Sequence, residues 1–319
     1  MAFIFSAVIA ASFVATWALI PFLRTRAILD YPNSRSSHTS PTPKGGGLAL
    51  VTVVLVVWVS TGLYMDSNTF LTWTLPIVAL ILAGLSWVDD LHSLPPLVRL
   101  SVHIIAVSIV LLIRPMPEVF FQGLLPDTLD TLLAGIIWVW FINLFNFMDG
   151  IDGITSIETI IIGIGIALIG ESPINLLGGF LAAGALGFLR WNWHPAKVFM
   201  GDVGSIPLGF LIGWLLLNMA GDGQWAVAMI LPAYYVADAT ITLIVRAFKG
   251  EKIWHAHRQH FYQQAIQRGL SHANVTIMVA FLGALLIKLA LLADFGWPLT
   301  ALGFALTLSL TFLFILRGR

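Results

Sequence analysis

The sequence is dominated by long runs of apolar residues separated by short polar segments. A helix needs about 20 mostly apolar residues to cross a bilayer. Segments near that length are 3–23, 48–65, 69–88, 98–113, 131–147, 154–170, 174–190, 205–220, 224–245, 273–293 and 297–316. We therefore predict an all-α, polytopic membrane helix bundle with about 11 transmembrane helices. Because several segments are short, ten spans plus one broken or re-entrant segment is the alternative.

The composition excludes several other classes of protein. Hydrophobic residues make up 58% of the chain and charged residues only 10%, whereas a soluble domain carries about 25% charged residues. The same balance excludes a disordered chain. A net charge of zero argues against nucleic-acid binding. Since the chain has no cysteine, disulfides, thiolate nucleophiles and thiolate metal sites are excluded.

The basic residues divide unevenly between the two ends of the predicted bundle. If the spans alternate in direction, one end holds fourteen of the 16 Lys and Arg residues and seven of the 8 His residues. We predict that this end is cytoplasmic and that the N-terminus lies outside, as a retained first span. The chain is predicted to be a single integral-membrane domain, 1–319, with cytoplasmic catalytic loops at 24–47, 89–99, 143–153, 191–205 and 246–272.

Two adjacent carboxylates, Asp89 and Asp90, end the third predicted span, and Arg99 follows them. Neighbouring carboxylates repel each other unless one is protonated or a divalent cation lies beside them. The pair therefore indicates a cation site, and the alternative is a helix end whose acids face water.

A second polar segment lies at 143–153 and contains two Asn and two Asp-Gly pairs. Asn143 and Asn146 are three residues apart, so they share one face of a helix, and Asp149 and Asp152 follow them. A single Asp-Gly is typical of a turn. The repeated pattern favours a ligand-binding loop with oxygen donors.

The third segment leads into the eighth predicted span and contains Gly201, Asp202, Gly204 and Ser205. Glycines at the start of a helix can present backbone amides to a phosphate. Asp202 would repel that phosphate, so we expect Mg²⁺ between them. The alternative is that Ser205 is only a helix N-cap and Asp202 a helix-start acid.

The loop at 246–272 carries His255, His257, Arg258 and His260. We interpret it as a loop that binds a diphosphate through charge-assisted hydrogen bonds. The alternatives are a metal cluster, which hard Mg²⁺ disfavours, and a basic loop that rests on anionic lipid.

Two further features are less specific. Lys44 and the three glycines after it suggest a shaped, phosphate-accessible loop, although a flexible linker is the default for such a segment. Asp238 lies within the ninth predicted span, and ionisable residues inside a membrane are functional candidates.

The order and spacing of these motifs resemble the polyprenyl-phosphate N-acetylhexosamine-1-phosphate transferase family of bacterial membranes, glycosyltransferase family 4. The resemblance covers nearly the whole chain. It rests on the acid pair, on NLFNFMDGIDG at 143–153, on VFMGDVGS at 198–205 and on the His-rich final loop. The stretch PNSRSSHTSPTPKGGG is most similar to the branch that initiates O-antigen or related surface glycans. The final loop reads HAHRQHFYQ, which leaves open which His takes the family's role.

The resemblance implies an enzyme of the bacterial inner membrane. It would move a sugar 1-phosphate from a UDP-N-acetylhexosamine to undecaprenyl phosphate and release UMP, with Mg²⁺ as cofactor and Mn²⁺ as a substitute. It also implies contact with membrane lipids and a homodimer, and it does not identify the sugar.

Roles for individual residues follow from the motifs and the resemblance together. Asp202, with Asp149, is expected to bind the metal, and Asp89, Asp90 and Asp149 are the expected catalytic acids. The expected substrate-binding residues are Asn143, Asn146, Asp152, Lys44, Arg99, Lys197, His255, His257, Arg258 and His260.

The main rival is a secondary transporter or flippase for a lipid-linked or anionic solute. Such proteins place polar binding residues near the middle of the membrane and often contain internal repeats. In this sequence the ionisable residues gather at one predicted interface, and no repeat is visible. A non-catalytic scaffold is the second rival, and it would have no need of carboxylates beside basic loops.

Overall fold

A computed structural model describes residues 2–32, 37–38, 40–65, 69–113, 120–252 and 257–318. The predicted all-α class is confirmed. The helices are α1 (Ala2–Thr25), α2 (Gly47–Tyr64), α3 (Leu75–His92), α4 (Pro96–Ile113), α5 (Asp127–Phe147), α6 (Ile154–Ile169), α7 (Ile174–Asn192), α8 (Asp202–Met219), α9 (Trp225–Ile230), α10 (Ala233–Phe248), α11 (Phe261–Gln267), α12 (His272–Asp294) and α13 (Pro298–Arg317). Two short strands, β1 (Leu29–Asp30) and β2 (Thr42–Pro43), pair antiparallel.

Within the described residues, nine helical stretches are long and apolar enough to span a membrane. They are Ala2–Thr25, Gly47–Tyr64, Phe70–His92, Pro96–Ile113, Asp127–Phe147, Ile174–Asn192, Asp202–Ile230, His272–Asp294 and Pro298–Arg317. The predicted span 154–170 corresponds to α6, which is apolar but has only 16 residues. The bundle is therefore that of a multi-pass membrane protein.

The predicted span 224–245 is broken. It is divided between α9 and α10, and Leu231 and Pro232 lie between them. Proline has no backbone amide to donate and crowds the preceding turn, so it favours a helix boundary at this point. The break agrees with the alternative that includes a broken segment, and the number of spans stays a prediction.

Helix α8 forms the centre of the bundle. It packs against α3 and α5, and nearly all of its side chains are buried. The Trp138 indole of α5 stacks on Phe210 at 5.0 Å and donates a hydrogen bond to the Phe210 carbonyl at 2.9 Å. By contrast, α1 and α4 expose large apolar side chains such as Phe3 and Leu112, as expected of lipid-facing helices.

The first loop is attached to the segment that precedes α8. In the sheet, Leu29 pairs with Pro43, and the Pro43 carbonyl accepts a hydrogen bond from the Phe199 amide at 2.8 Å. The Gly46 and Gly47 amides in turn donate to the carbonyls of residues 199 and 200, each at 2.9 Å. The described part of this loop is therefore a paired element and not a flexible linker.

Candidate active site

Asp90 joins three elements at one end of the bundle. Its side chain is fully buried, and its Oδ1 lies 2.8 Å from the Lys44 ammonium. Its two oxygens also accept hydrogen bonds from the backbone amides of Asp202 and Val203, each at 3.1 Å. Asp90 of α3 thus caps the N-terminus of α8, where helix amides and the helix dipole stabilise an anion.

This cap corrects two expectations for the α8 N-terminus. The amides of Asp202 and Val203 are already bonded to Asp90, so they are not available to a phosphate. Ser205 is not the N-cap, because α8 begins at Asp202 and the Ser205 hydroxyl donates back to the Gly201 carbonyl at 3.3 Å. The first amides of α8 are bonded instead by the carboxylate of Asp90, which is distant in the sequence.

Asp89 and Asp202 share one guanidinium. Arg99 Nη1 lies 3.0 Å from Asp89 Oδ2 and 3.4 Å from Asp202 Oδ2. The second oxygen of Asp89 accepts from the Leu94 amide at 2.6 Å. The bridge brings the two carboxylates together from α3 and α8, and it offsets part of their mutual repulsion.

The two asparagines of α5 have different surroundings. Asn146 Nδ2 donates to Asp202 Oδ1 and to the Ser205 hydroxyl, each at 2.9 Å. Asn143 Nδ2 donates to the Val139 carbonyl of its own helix at 2.7 Å. Asn146 therefore belongs to the acid cluster, whereas the amide of Asn143 is used within α5.

A cavity of about 320 Å³ opens beside these acids. It is lined by residues from four of the five predicted catalytic loops, all but 89–99, and its volume falls in the range of small-molecule sites. The lining residues are Asp30, Ser37, His38, Lys44, Asn146, Asp149, Gly150, Ile151, Asp152, Asn192, Phe199, Met200, Gly201, Asp202, Gln263 and His272.

Two groups on the cavity wall have shifted pKa values. Burial raises the pKa of Asp149 to about 7. For Lys44, burial alone would lower the pKa, but the carboxylates of Asp90 and Asp202 outweigh it and the pKa is raised. At neutral pH the cavity therefore holds a protonated amine beside a carboxyl group that exchanges its proton readily.

The oxygen donors of the cavity fit a hard divalent cation. Asp149 and Asp202 both line it, together with the amide of Asn146. Mg²⁺ is usually held by one or two carboxylates plus substrate phosphates, and it keeps several waters. The residues expected to bind the metal are thus present with the right chemistry.

Asp152 faces a different set of partners. Its Oδ2 lies 2.6 Å from His194 Nδ1 and 3.1 Å from the Ala196 amide, and its Oδ1 lies 3.3 Å from His272 Nδ1. Burial alone would raise the pKa of Asp152, but the hydrogen bonds of the two histidines outweigh it and the pKa is lowered. Both carboxylate oxygens of this expected substrate-binding residue are thus in use.

The described part of the final loop is organised around Asp238. This carboxylate accepts from the amides of Phe261 and Tyr262 at 3.0 and 3.3 Å, and it lies 3.2 Å from His260 Nδ1. Asp238 of α10 therefore caps α11, which gives this intramembrane acid a structural use.

The remaining predicted binding residues lie outside the cavity lining. The His257 ring lies 4.8 Å from that of His260, which is buried, and Arg258 follows in the same loop. Lys197 is exposed and lies 5.4 Å from the ring of Trp191. His255 lies outside the described residues. Diphosphate binding by this loop stays a prediction.

Sequence reasoning missed several residues of the cavity wall, among them Asp30, His38, Asn192, Gln263 and His272. His38 and Gln263 stand within the stretches PNSRSSHTSPTPKGGG and HAHRQHFYQ but were not singled out, whereas Asp30 and Asn192 are isolated polar residues outside the motifs. For His272 a signal existed, because it lies in the predicted cytoplasmic loop 246–272 at the start of an apolar run.

Comparisons with known proteins bear on the same residues. The sequence profile of glycosyl transferase family 4 matches residues 70–220, a stretch that contains Asp89, Asp90, Asn146, Asp149 and Asp202. This part of the chain, just under half of it, is similar to glycosyl transferase family 4. The matched part contains the acid cluster, while Lys44, Gln263 and His272 lie outside it.

Similar bacterial proteins cover more of the chain. A decaprenyl-phosphate N-acetylglucosaminephosphotransferase of Mycobacterium leprae is 26% identical over 78% of this chain and 72% of its own. An undecaprenyl-phosphate alpha-N-acetylglucosaminyl 1-phosphate transferase of Thermotoga maritima is 28% identical over 85% and 84%. A phospho-N-acetylmuramoyl-pentapeptide-transferase of Streptococcus thermophilus is 29% identical over 66% and 68%.

Proposed function

We propose that this chain transfers an N-acetylhexosamine 1-phosphate from a UDP-sugar to undecaprenyl phosphate and releases UMP. The observation that carries the proposal is the cavity at one end of the bundle. There, Asp202 and Asp149 lie beside the protonated Lys44, and the family's acid motifs converge. The names of the similar bacterial proteins support the same class of reaction.

The electrostatic problem of this reaction is that both reactants are phosphate anions. Mg²⁺ held by Asp202 and Asp149 would neutralise charge on the diphosphate. Lys44 lies at the same wall, and its partly exposed ammonium can pair with a phosphate oxygen in the cavity while it keeps its contact with Asp90. Because the cavity is partly enclosed, these interactions are stronger than they would be in bulk water.

The acids have distinct uses in this proposal. Arg99 and the amide of Asn146 orient Asp202, and Asp90 ties Lys44 to the start of α8. Asp149 has a pKa of about 7, close to the second pKa of a phosphate monoester, which is about 6. When Asp202 alone holds the metal, Asp149 can therefore take a proton from the acceptor phosphate. Attack at phosphorus leaves the sugar C1–O bond intact, so the anomeric configuration is retained.

The wider setting is part of the proposal. We place the enzyme in the bacterial inner membrane with the cavity on the cytoplasmic side, where UDP-sugars are made. The first loop is similar to that of the O-antigen branch, so we assign the reaction to the first step of O-antigen or related surface-glycan synthesis. A homodimer is the expected assembly.

The test is an assay of lipid product and UMP in detergent with Mg²⁺, undecaprenyl phosphate and a panel of UDP-N-acetylhexosamines. We expect Asp202→Asn to lower the rate by about 100-fold or more, as loss of a charge-stabilising group does at other active sites. EDTA should abolish the wild-type rate.

The matched control is Asp127→Asn, which removes an exposed acid at the start of α5, outside the cavity lining. A wild-type rate in Asp202→Asn would refute the role of that residue. If no UDP-sugar gives lipid product, and proteoliposomes instead take up a labelled anionic solute, the chain is a transporter.

A further inference from the structure

Two histidines and one carboxylate form a compact cluster at the edge of the cavity. Asp152 lies between α5 and α6, His194 lies between α7 and α8, and His272 is the first residue of α12. One potential ligand atom from each lies within 4.8 Å of the other two. The side chains of Asp152 and His272 are only 7% and 8% exposed, whereas that of His194 is 38% exposed.

The surroundings of His272 determine which ring nitrogen carries hydrogen. Nε2 lies 3.0 Å from the Ser37 carbonyl oxygen, which can only accept, so Nε2 is the donor. A metal-binding histidine typically donates its other N–H to a backbone carbonyl or carboxylate in this way. In the neutral ring Nδ1 is therefore the nitrogen with a lone pair, and a bound ligand would replace the long hydrogen bond that it accepts from the Asp152 amide.

Nδ1 of His272 is directed at Asp152. It lies 3.3 Å from Asp152 Oδ1 and accepts from the Asp152 amide at 3.3 Å. When both ring nitrogens carry hydrogen, Nδ1 donates to this carboxylate oxygen; in the neutral ring the Nδ1 lone pair faces the oxygen, and two acceptors repel each other. A positive species between them removes this repulsion. The described ion pairs of Asp152 are with histidines alone, so no Lys or Arg from that part of the chain supplies it.

We propose that Asp152, His194 and His272 form a site for a borderline transition-metal ion such as Zn²⁺. Two imidazole nitrogens and one carboxylate are a donor set that suits Zn²⁺, with a fourth position left for water or a substrate oxygen. The acid cluster around Asp202 offers oxygen donors alone and suits Mg²⁺. The two sites therefore differ in the metal they select.

The site has a structural consequence. Its ligands come from two connections of the bundle and from the first residue of α12. The Ser37 carbonyl oxygen of the first loop accepts a hydrogen bond from His272 Nε2. Bound metal would fix the part of the cavity wall formed by Asp152 and His272 and would resist local opening. This inference goes beyond the proposed reaction and does not depend on it.

The experiment uses the purified full-length protein in detergent, with a tag that contains no histidine, after treatment with EDTA. Mg²⁺ at millimolar concentration is added first to occupy the oxygen site. Co²⁺ is then titrated, and its visible absorption, which reports nitrogen ligands in a tetrahedral site, is recorded. We expect one Co²⁺ per chain, displaced by Zn²⁺, and a rise in the unfolding temperature with Zn²⁺.

The variants His194→Gln and His272→Gln should weaken Co²⁺ binding at least about 100-fold, since each removes a ligand and second-shell changes alone cost about 10- to 100-fold. The matched control is His92→Gln, which changes an exposed histidine at the end of α3 and should bind Co²⁺ like the wild type. Asp202→Asn should also keep the signal, which separates this site from the proposed reaction.

Two results would overturn the proposal. One is a wild-type protein that gives no Co²⁺ spectrum in the presence of Mg²⁺, and this result requires no variant to fold. The other is an unchanged spectrum in both histidine variants, which would assign the ion to another site. In the first case, shared protons balance the charge of the cluster.

Discussion

Lys44 and Asp90 form an ion pair, and loss of either partner should destabilise the folded protein. The Asp90 side chain is fully buried and that of Lys44 is 31% exposed. Removing one partner of a buried pair leaves an uncompensated charge, which typically costs about 3 kcal/mol or more. We expect Lys44→Met to lower the free energy of unfolding by about 3 kcal/mol, measured by thermal unfolding in detergent.

The control for this prediction is Lys249→Met, at an exposed lysine after α10. It should change stability by less than about 0.5 kcal/mol. If Lys44→Met were as stable as this control, the hydrogen bonds from the α8 amides alone would be sufficient to hold Asp90.

The raised pKa of Asp149 predicts how the stability of the folded protein changes with pH. Because its pKa is raised to about 7 in the folded protein, the folded state holds a proton that the unfolded chain releases near pH 4. The stabilisation by the neutral carboxyl is fully present below pH 4 and is lost as the pH rises through about 7. In EDTA, Asp149→Asn should therefore gain stability relative to the wild type as the pH rises from about 4 to about 7.

Glu171→Gln is the control for the pH series, because Glu171 is exposed between α6 and α7. Its difference from the wild type should stay nearly constant over the same range of pH. A constant difference for Asp149→Asn as well would mean that Asp149 titrates as it does in an unfolded chain.

At the residue scale, the sequence predicted the acids and missed their partners. Asp89, Asp90, Asp149 and Asp202 stand in dense polar motifs between apolar runs, so their types and spacing are informative. The contact of Asp152 with His272 joins positions 120 residues apart, and nothing in the local pattern indicates such a contact.

At the scale of elements, the approach of α2 to α8 depends on glycine. A Cβ added to Gly47 would overlap the Cα of Gly204 and would lie 2.7 Å from its amide nitrogen and 2.8 Å from the Met200 carbonyl oxygen. Backbone atoms cannot rotate away as a side chain can. We expect Gly47→Ala to destabilise the protein by about 1–3 kcal/mol, measured by thermal unfolding.

Gly84→Ala is the matched control. Gly84 lies within α3, and a Cβ there would meet nothing within 4 Å. Since alanine favours helices more than glycine does, this change should be neutral or stabilising by up to about 1 kcal/mol. If the two substitutions changed the free energy of unfolding equally, α2 and α8 could move apart without loss of stability.

The helices themselves were largely predictable, because each predicted span contains a helical segment and apolar length is the dominant signal. The strands β1 and β2 were not predicted. They have two residues each, and their pairing is stabilised by contacts with residues 198–200, which a local pattern does not reveal.

At the scale of the whole molecule, the two ends of the bundle differ in chemistry. The acid cluster and its basic partners lie at one end. At the other end, Gln224 Nε2 donates to Asp294 at 3.0 Å and to the Ile169 carbonyl at 3.3 Å, so the predicted outer connections also gather together. The alternation of spans predicted from charge is consistent with this separation.

The absence of cysteine from the sequence allows a direct test of orientation. Glu171→Cys and Lys249→Cys place single thiols at exposed positions that are predicted to lie outside and inside. In intact cells, a membrane-impermeant maleimide should label the first and spare the second. Permeabilised cells should show labelling of both. The opposite pattern in intact cells would place the cavity outside the cytoplasm.

The backbone pairing between the first loop and residues 198–200 affects how such a protein can be recombined. Each stretch donates backbone hydrogen bonds to the other. The two stretches should therefore be exchanged together, although about 150 residues separate them in the sequence. A chimera that takes only one stretch from a relative would join two surfaces with different evolutionary histories. Substrate specificity should therefore be transferred in paired blocks, 40–47 together with 198–204.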